Sequence, residues 1–187
     1  MSQDCSGEDI PAGQSVEKQA QAAGWELALA GRIRPARVSD VPVLYELIRH
    51  YALEQKMILR TYEELYAHIR EFQVGECDAQ VVGCAAVHVF YADLAELKCV
   101  AVRQDYQGRG LGTALCRACL DDLRRLGVGR VFTLTGSPAF FEKLGFQRVA
   151  KDTLPHYIWS ECVRCPTFPI CREEALILDL SFVKSGL

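Results

Sequence analysis

From residue 32 onward the apolar positions change period at short intervals, and each change predicts an element. Ile33 opens a short strand, Ser39 or Asp40 stands where a helix N-cap belongs, and Val43, Leu44, Leu47, Ile48 and Tyr51 recur at helical spacing. Thr61 with Glu64 three residues later has the form of a capping box, and Leu65, Ile69 and Phe72 supply the apolar face of a second helix. Segments 72–76 and 80–90 flank Cys77, Asp78 and Ala79 as the arms of a hairpin, and 94–102 is apolar enough for a strand buried on both faces. A glycine-bearing loop, 105–112, leads into a helix whose Leu111, Leu115, Cys119, Leu123 and Leu126 share a face and which Gly127 and Gly129 end. Strands at 131–134, 146–149 and 175–180, with a short helix at 138–144, complete one mixed α/β domain.

Residues 1–31 hold few large apolar side chains and no sustained period, which predicts a flexible leader ahead of a domain spanning 32–187. A chain of 187 residues suits one such domain. Half of it is apolar and its net charge is −3, which excludes a disordered chain, a membrane span and a domain-wide basic field for nucleic acid. The first residues lack the basic and apolar regions of a secretory signal, so the expected location is cytoplasmic and reducing. The nine cysteines are therefore read as thiols or ligands before disulfides.

Gly108, Gly110 and Gly112 lie between a strand and a helix, where backbone N–H groups can face an anion. Their spacing fits neither the dinucleotide fingerprint G-x-G-x-x-G nor the Walker loop. The stretch Gln107-Gly108-Arg109-Gly110-Leu111-Gly112 does resemble the Q/R-x-x-G-x-G/A signature of the GNAT superfamily of N-acetyltransferases, in its usual place after a strand reading Val100-Ala101-Val102. Phe140-Phe141-Glu142-Lys143-Leu144-Gly145-Phe146 resembles that superfamily's late helix-to-strand element. Within it, Ile33-Arg34-Pro35-Ala36, Leu59-Arg60-Thr61, Gly83-Cys84-Ala85-Ala86, Glu96-Leu97-Lys98-Cys99 and Phe132-Thr133-Leu134-Thr135 are similar to the acetyltransferase domain of short-form N-acetylglutamate synthases.

The resemblance implies a mostly antiparallel twisted sheet of about seven strands flanked by about four helices. It implies transfer of the acetyl group of acetyl-CoA to the α-amine of a free amino acid, L-glutamate first, as in the opening step of arginine biosynthesis. Glu96 matches the strand glutamate that serves several members as general base, and burial would raise its pKa toward that task. The resemblance assigns the cofactor to Val100, Ala101, Val102, Gln107, Gly108, Arg109, Gly110, Leu111, Gly112, Thr113 and Phe141, with a backbone N–H near Val102 as donor to the thioester oxygen. Many members carry tyrosine at the position of Phe141 to protonate the departing thiolate; a phenyl ring cannot, which leaves water or Thr135. A dicarboxylate acceptor needs cationic partners, for which Arg60, Lys98, Arg49 and Arg172 are candidates; Lys98, two residues from Glu96, shares its strand face. A homodimer is common in the superfamily. The competing readings are an acetyltransferase for another small amine or a protein amine, and a non-catalytic coenzyme A binder or thiol or metal sensor.

Cys77, Cys84, Cys99, Cys116 and Cys119 fall at strand or helix positions expected to pack. Cys162, Cys165 and Cys171 cluster in a proline-containing segment, 151–173, with His156 nearby. A zinc site, a disulfide or redox switch, and reduced thiols all remain open for them.

Overall fold

The computed structural model describes residues 33–159 and 171–180. The expected leader, 1–31, and residues 160–170 of the cysteine-containing segment lie outside them. The order of elements is β1 (Ile33–Pro35), α1 (Val41–Leu53), α2 (Tyr62–Ala67), β2 (Phe72–Cys77), β3 (Gln80–Tyr91), β4 (Leu94–Val102), α3 (Leu111–Leu126), β5 (Arg130–Thr135), α4 (Pro138–Glu142), β6 (Gln147–Val149) and β7 (Glu174–Asp179). The strands form one seven-stranded sheet in the order β1-β2-β3-β4-β5-β7-β6. Every neighbouring pair is antiparallel except β4 with β5. That parallel pair needs a crossover, which α3 supplies. No helix among the described residues is long and apolar enough to cross a membrane.

Two cores cover the two faces of the sheet. On one, Leu111, Leu115, Cys116, Cys119, Leu120 and Leu123 of α3 pack on Val82, Ala85, Val87, Ala95 and Leu97. On the other, Val41, Leu44, Leu47 and Ile48 of α1, with Leu65 of α2, pack on Val74, Cys84, Ala86, Cys99 and Ala101. The close seat of α3 requires glycine beneath it. A Cβ on Gly75 of β2 would come within 2.6 Å of the Leu111 side chain, and one on Gly83 of β3 within 3.1 Å of Leu115.

Local signals read from the sequence meet the structure unevenly. The capping box at α2 forms as expected: the Thr61 hydroxyl accepts from the Glu64 N–H at 3.2 Å, and the Glu64 carboxylate accepts from the Thr61 N–H at 2.9 Å. The helix it starts is shorter than its apolar pattern suggested, because Ile69 falls in a 3-10 turn, Ile69–Glu71, and Phe72 begins β2. In α3, Leu126 is exposed, and Cys116 and Leu120 take the buried face beside Leu115 and Cys119. Asp78 and Ala79 form a two-residue hairpin turn between the pair Cys77 and Gln80, both with positive φ, the conformation that matches strand twist.

Asp40 immediately precedes α1 but its side chain caps no helical N–H of that helix. Its carboxylate accepts from the Arg37 N–H at 2.6 Å and from the Arg34 guanidinium at 2.7 and 3.1 Å. Arg34 also donates to Glu76 of β2, at 2.8 and 2.5 Å, so one guanidinium joins β1, the entry to α1 and β2. The Arg34 hydrogen bonds outweigh burial and hold the Asp40 carboxyl below its ordinary value of 3.8. A carboxylate depressed by folding contributes stability that is complete above its unfolded pKa and lost as pH falls through the native one. Asp40→Asn is expected to cost about 2 kcal/mol near neutral pH, the scale of hydrogen bonds to charged groups. The difference in melting temperature between it and the wild type should hold above about pH 4 and shrink as the pH falls from there through the depressed native pKa, which thermal melts from about pH 2 to 7 would measure.

Candidate active site

The site begins with an irregularity in β4. The β3–β4 pairing runs Gly83 with Val102 and Cys84 with Ala101, then resumes at Ala86 with Lys98, so β4 carries one extra residue. Cys99 takes the bulge, with φ of 53°. An extra residue reverses which side chains face which side. Ala95 and Leu97 pack toward α3, whereas Cys99 and Ala101 pack toward α1. The expectation of a strand buried on both faces therefore holds only in part: Glu96, Lys98 and Val100 are half-buried and line a cleft.

The cleft opens because β4 and β5 part. Their parallel pairing covers Leu94 to Glu96 against Arg130 to Phe132. Past Glu96 the strands diverge around a cavity of about 1340 Å³. The N–H of Arg103 donates to the Val82 carbonyl at 2.8 Å, which makes Gly83 and Val102 the non-hydrogen-bonded kind of antiparallel pair. The N–H and C=O of Val102 consequently point away from β3, to the side from which β5 has withdrawn. Tyr51 of α1 donates its hydroxyl to the Val102 carbonyl, which Gln107 also approaches through Nε2 at 3.2 Å. Gln107 Nε2 lies 2.5 Å from the Tyr51 hydroxyl oxygen as well. These contacts tie α1, the end of β4 and the start of the glycine loop together.

That loop turns at Gly108 and Gly110, with φ of 70° and 82°, and Gly110 is the residue that precedes α3. The first bond of the helix runs from the Ala114 N–H to the Gly110 carbonyl. The N–H groups of Leu111, Gly112 and Thr113 thus have no helical carbonyl to bond and sit at the positive end of a sixteen-residue helix. This is an anion cradle opening into the cleft.

Across the cleft, Thr133, Thr135 and Phe141 come from β5 and α4. Phe141 is buried and meets Phe140 and Phe146 edge to face, at 5.0 and 5.6 Å between ring centroids. The Thr135 hydroxyl oxygen accepts from the Ser137 N–H at 3.0 Å, which fixes its position at the end of β5 and leaves its proton able to donate.

Charged groups gather at one end. Lys98 Nζ is 3.9 Å from the Glu96 carboxylate, each side chain 14% exposed, as expected of neighbours on one strand face. Arg60, just before α2, reaches the Cys99 sulfur; burial pushes the Cys99 thiol up, and the charges of Arg60 and Lys98 partly oppose it. Arg172 and Glu173 complete this wall. Burial pushes the Glu173 carboxyl up, with the Cys171 thiol, which donates to it at 3.7 Å, opposing.

Most of the residues singled out from the sequence meet in this cleft, including Arg60, Glu96, Lys98, Val100, Val102, Gln107, Gly108, Gly110, Thr135, Phe141 and Arg172. Four others are placed elsewhere. Ala101 is buried beneath α1 by the change of phase at Cys99. The Arg109 guanidinium lies 5.5 Å from the Tyr106 ring centroid, outside the cleft lining. Arg49 bonds Glu46, one turn back on α1, at 3.2 Å. His156 is exposed, and Cys162 and Cys165 lie outside the described residues, so of the cysteine cluster only Cys171 is seen, half-buried beside Glu173. Sequence reasoning missed Tyr51, whose place in a helical apolar stripe concealed its hydroxyl, and also Thr133 and Glu173. Among the packing cysteines, Cys84, Cys99, Cys116 and Cys119 are buried, and burial pushes the Cys116 thiol up to about 12.

An anion cradle at a helix terminus, a cleft between diverging strands and a carboxylate beside it suit an acyltransferase. The chain belongs to the acetyltransferase (GNAT) family, whose model matches residues 41–146. It is 33% identical to an uncharacterized N-acetyltransferase of Chlorobaculum tepidum, over 79% of this chain and 96% of that one. It is 35% identical to the amino-acid acetyltransferase of Mycobacterium tuberculosis, over 83% and 88%. Among solved structures it resembles N-acetylglutamate synthase from Neisseria gonorrhoeae complexed with coenzyme A and N-acetyl-glutamate, with a TM-score of 0.73, 31% identity and 79% of this chain covered. That match covers 34% of the synthase, so this chain spans about a third of its length. A Mycobacterium tuberculosis protein in complex with CoA matches with a TM-score of 0.70 and 31% identity, over 79% of this chain and 98% of that one.

The Tyr51 hydroxyl offers a direct check on the cofactor side. Tyr51→Phe removes the bonds that hold the Val102 carbonyl and Gln107. It should raise the KM for acetyl-CoA by about threefold to tenfold, the effect of one or two neutral hydrogen bonds, with little change in melting temperature.

Proposed function

We propose that this acetyltransferase acetylates the α-amine of a free amino acid with an acidic side chain, L-glutamate, and that Glu96 is the general base. The observation that carries this reading is the convergence of Arg60, Lys98 and Arg172 on the cleft that also holds Glu96. An acceptor with two carboxylates needs at least two cationic partners, and arginine's planar fork suits a carboxylate well. The names of the amino-acid acetyltransferases similar to this chain, and the N-acetyl-glutamate bound to the Neisseria synthase, support the same substrate class.

The phosphates of acetyl-CoA rest on the amides of the α3 terminus, and the extended arm of the cofactor lies along the β4 edge that β5 leaves unpaired. The amine arrives as an ammonium ion and gives its proton to Glu96, directly or through one water. Its lone pair attacks the thioester carbonyl, whose oxygen gains negative charge. The Val102 N–H, aimed into the opening, donates to that oxygen. Collapse expels the coenzyme A thiolate, and the second proton that the nitrogen sheds in becoming an amide passes to it through Thr135 or water, because Phe141 has none to give. The acetyl group ends on the amino acid, one proton on the free thiol, and the other leaves Glu96 for solvent.

Steady-state rates over a panel of free amino acids and amines, with acetyl-CoA fixed, test the acceptor. Glutamate should lead, and equal rates on neutral amino acids would refute the acidic pocket. Lys98→Met should raise the KM for the acidic acceptor about tenfold or more, as expected for loss of a charge-assisted bond, and leave the KM for acetyl-CoA within about twofold. Glu96→Gln should lower kcat by about a hundredfold to ten-thousandfold, the usual contribution of a positioned base, at unchanged KM for acetyl-CoA. An unchanged kcat would remove Glu96 from the mechanism.

A further inference from the structure

On the α1 side of the sheet, outside the residues that line the cleft, two imidazoles converge on one carboxylate. His68 follows α2, Glu71 ends the 3-10 turn Ile69–Glu71, and His88 lies on β3. The Nδ1 atoms of His68 and His88 stand 2.9 and 2.7 Å from the same Glu71 oxygen, Oε1. One ligand atom from each of the three residues fits within 4.8 Å of the other two. The histidine rings meet edge to face, 5.7 Å between centroids, and Phe90 closes one flank of His88 at 4.8 Å. His68 leaves the opposite flank open to solvent, its side chain 48% exposed.

We propose that His68, Glu71 and His88 form a binding site for a divalent cation of the zinc class. Hydrogen bonding alone explains the cluster incompletely. It crowds both imidazoles onto Oε1, while Oε2 of the same carboxylate is buried with no hydrogen-bond partner among the described residues. A buried carboxylate oxygen left unpaired is costly. A cation that both oxygens of the carboxylate ligate would meet Oε2 as well as Oε1. Two imidazole nitrogens and one carboxylate are a zinc donor set, with a fourth position open to water on the His68 side. The nitrogen ligands disfavour calcium and magnesium, which take oxygen. A cation here would fasten the C-terminal end of α2 to β3, at the residue that pairs directly with Glu96 on β4.

Binding needs no substrate and is independent of the acceptor assignment. Zn²⁺ alone is titrated into metal-free full-length protein against a chromophoric chelator. His68→Gln and His88→Gln should each bind the corresponding equivalent at least about tenfold more weakly, one of three protein ligands being gone. His68 is largely at the surface, so His68→Gln should melt with the wild type in chelator, whereas added Zn²⁺ should raise the melting temperature of the wild type more than that of the variant. Co²⁺ separates this site from the cysteines: the histidine-dependent part of its spectrum should lack thiolate-to-metal charge transfer. Zinc affinity unchanged in both variants, or a cobalt spectrum due to thiolates alone, would overturn the site.

Discussion

Strands β4 and β5 share three residue pairs and then part, and the chemistry of the molecule is built in the gap. A flat, fully paired sheet would leave no backbone group free to meet a ligand. Divergence turns the last two thirds of β4 into an edge, and the bulge at Cys99 decides what that edge presents. It lets Glu96 and Lys98 face the cleft upstream while Cys99 and Ala101 pack beneath α1 downstream. The pairing beside Val102 then points its N–H into the opening. Holding a non-glycine residue at φ of 53° costs on the order of 1 kcal/mol or more, which the two cores on either side of β4 must offset.

Around this gap the two ends of the cleft have separate chemistry and separate supports. The end proposed for the cofactor is mostly backbone: the amides at the start of α3, set in place because Gly75 and Gly83 admit Leu111 and Leu115 closely, and braced by Tyr51 and Gln107. The end proposed for the acceptor is mostly side chain: Arg60 from the loop before α2, Lys98 and Glu96 from β4, and Arg172 and Glu173 before β7. A substitution at the first end acts through geometry and at the second through charge.

Much of this was legible from residue order because it is local. The capping box of Thr61 and Glu64, the hairpin at Asp78 and Ala79, and the glycines at the start of α3 are all set by residues within a few positions of one another. The segment order also suffices for an α/β sheet with one crossover helix. What escaped depends on contacts distant in sequence. Tyr51 earns its place by reaching Val102, fifty-one positions on, and nothing in an apolar helical stripe reveals a hydroxyl's target. The bulge is invisible to a pattern read along β4 alone, since the extra residue exists only relative to β3. Asp40 looked like a helix cap because its type and position fit, yet the guanidinium of Arg34 competes for the same oxygens more strongly. Leu126 continued the period of α3 but is exposed as the last residue of the helix.

The open reach of β4 also bears on solubility. An internal edge that no neighbouring strand pairs with among the described residues is a template for any extended chain, including another copy of this one in the crowded moments of synthesis. Natural sheets discourage such pairing with a bulge that breaks the regular spacing and a lysine that must be desolvated. Cys99 supplies the first and Lys98 the second, side by side. The features that shape the cleft proposed for a thin, extended cofactor therefore also make it a poor docking rail for a strand, so an enzyme that must keep one edge open need not aggregate through it.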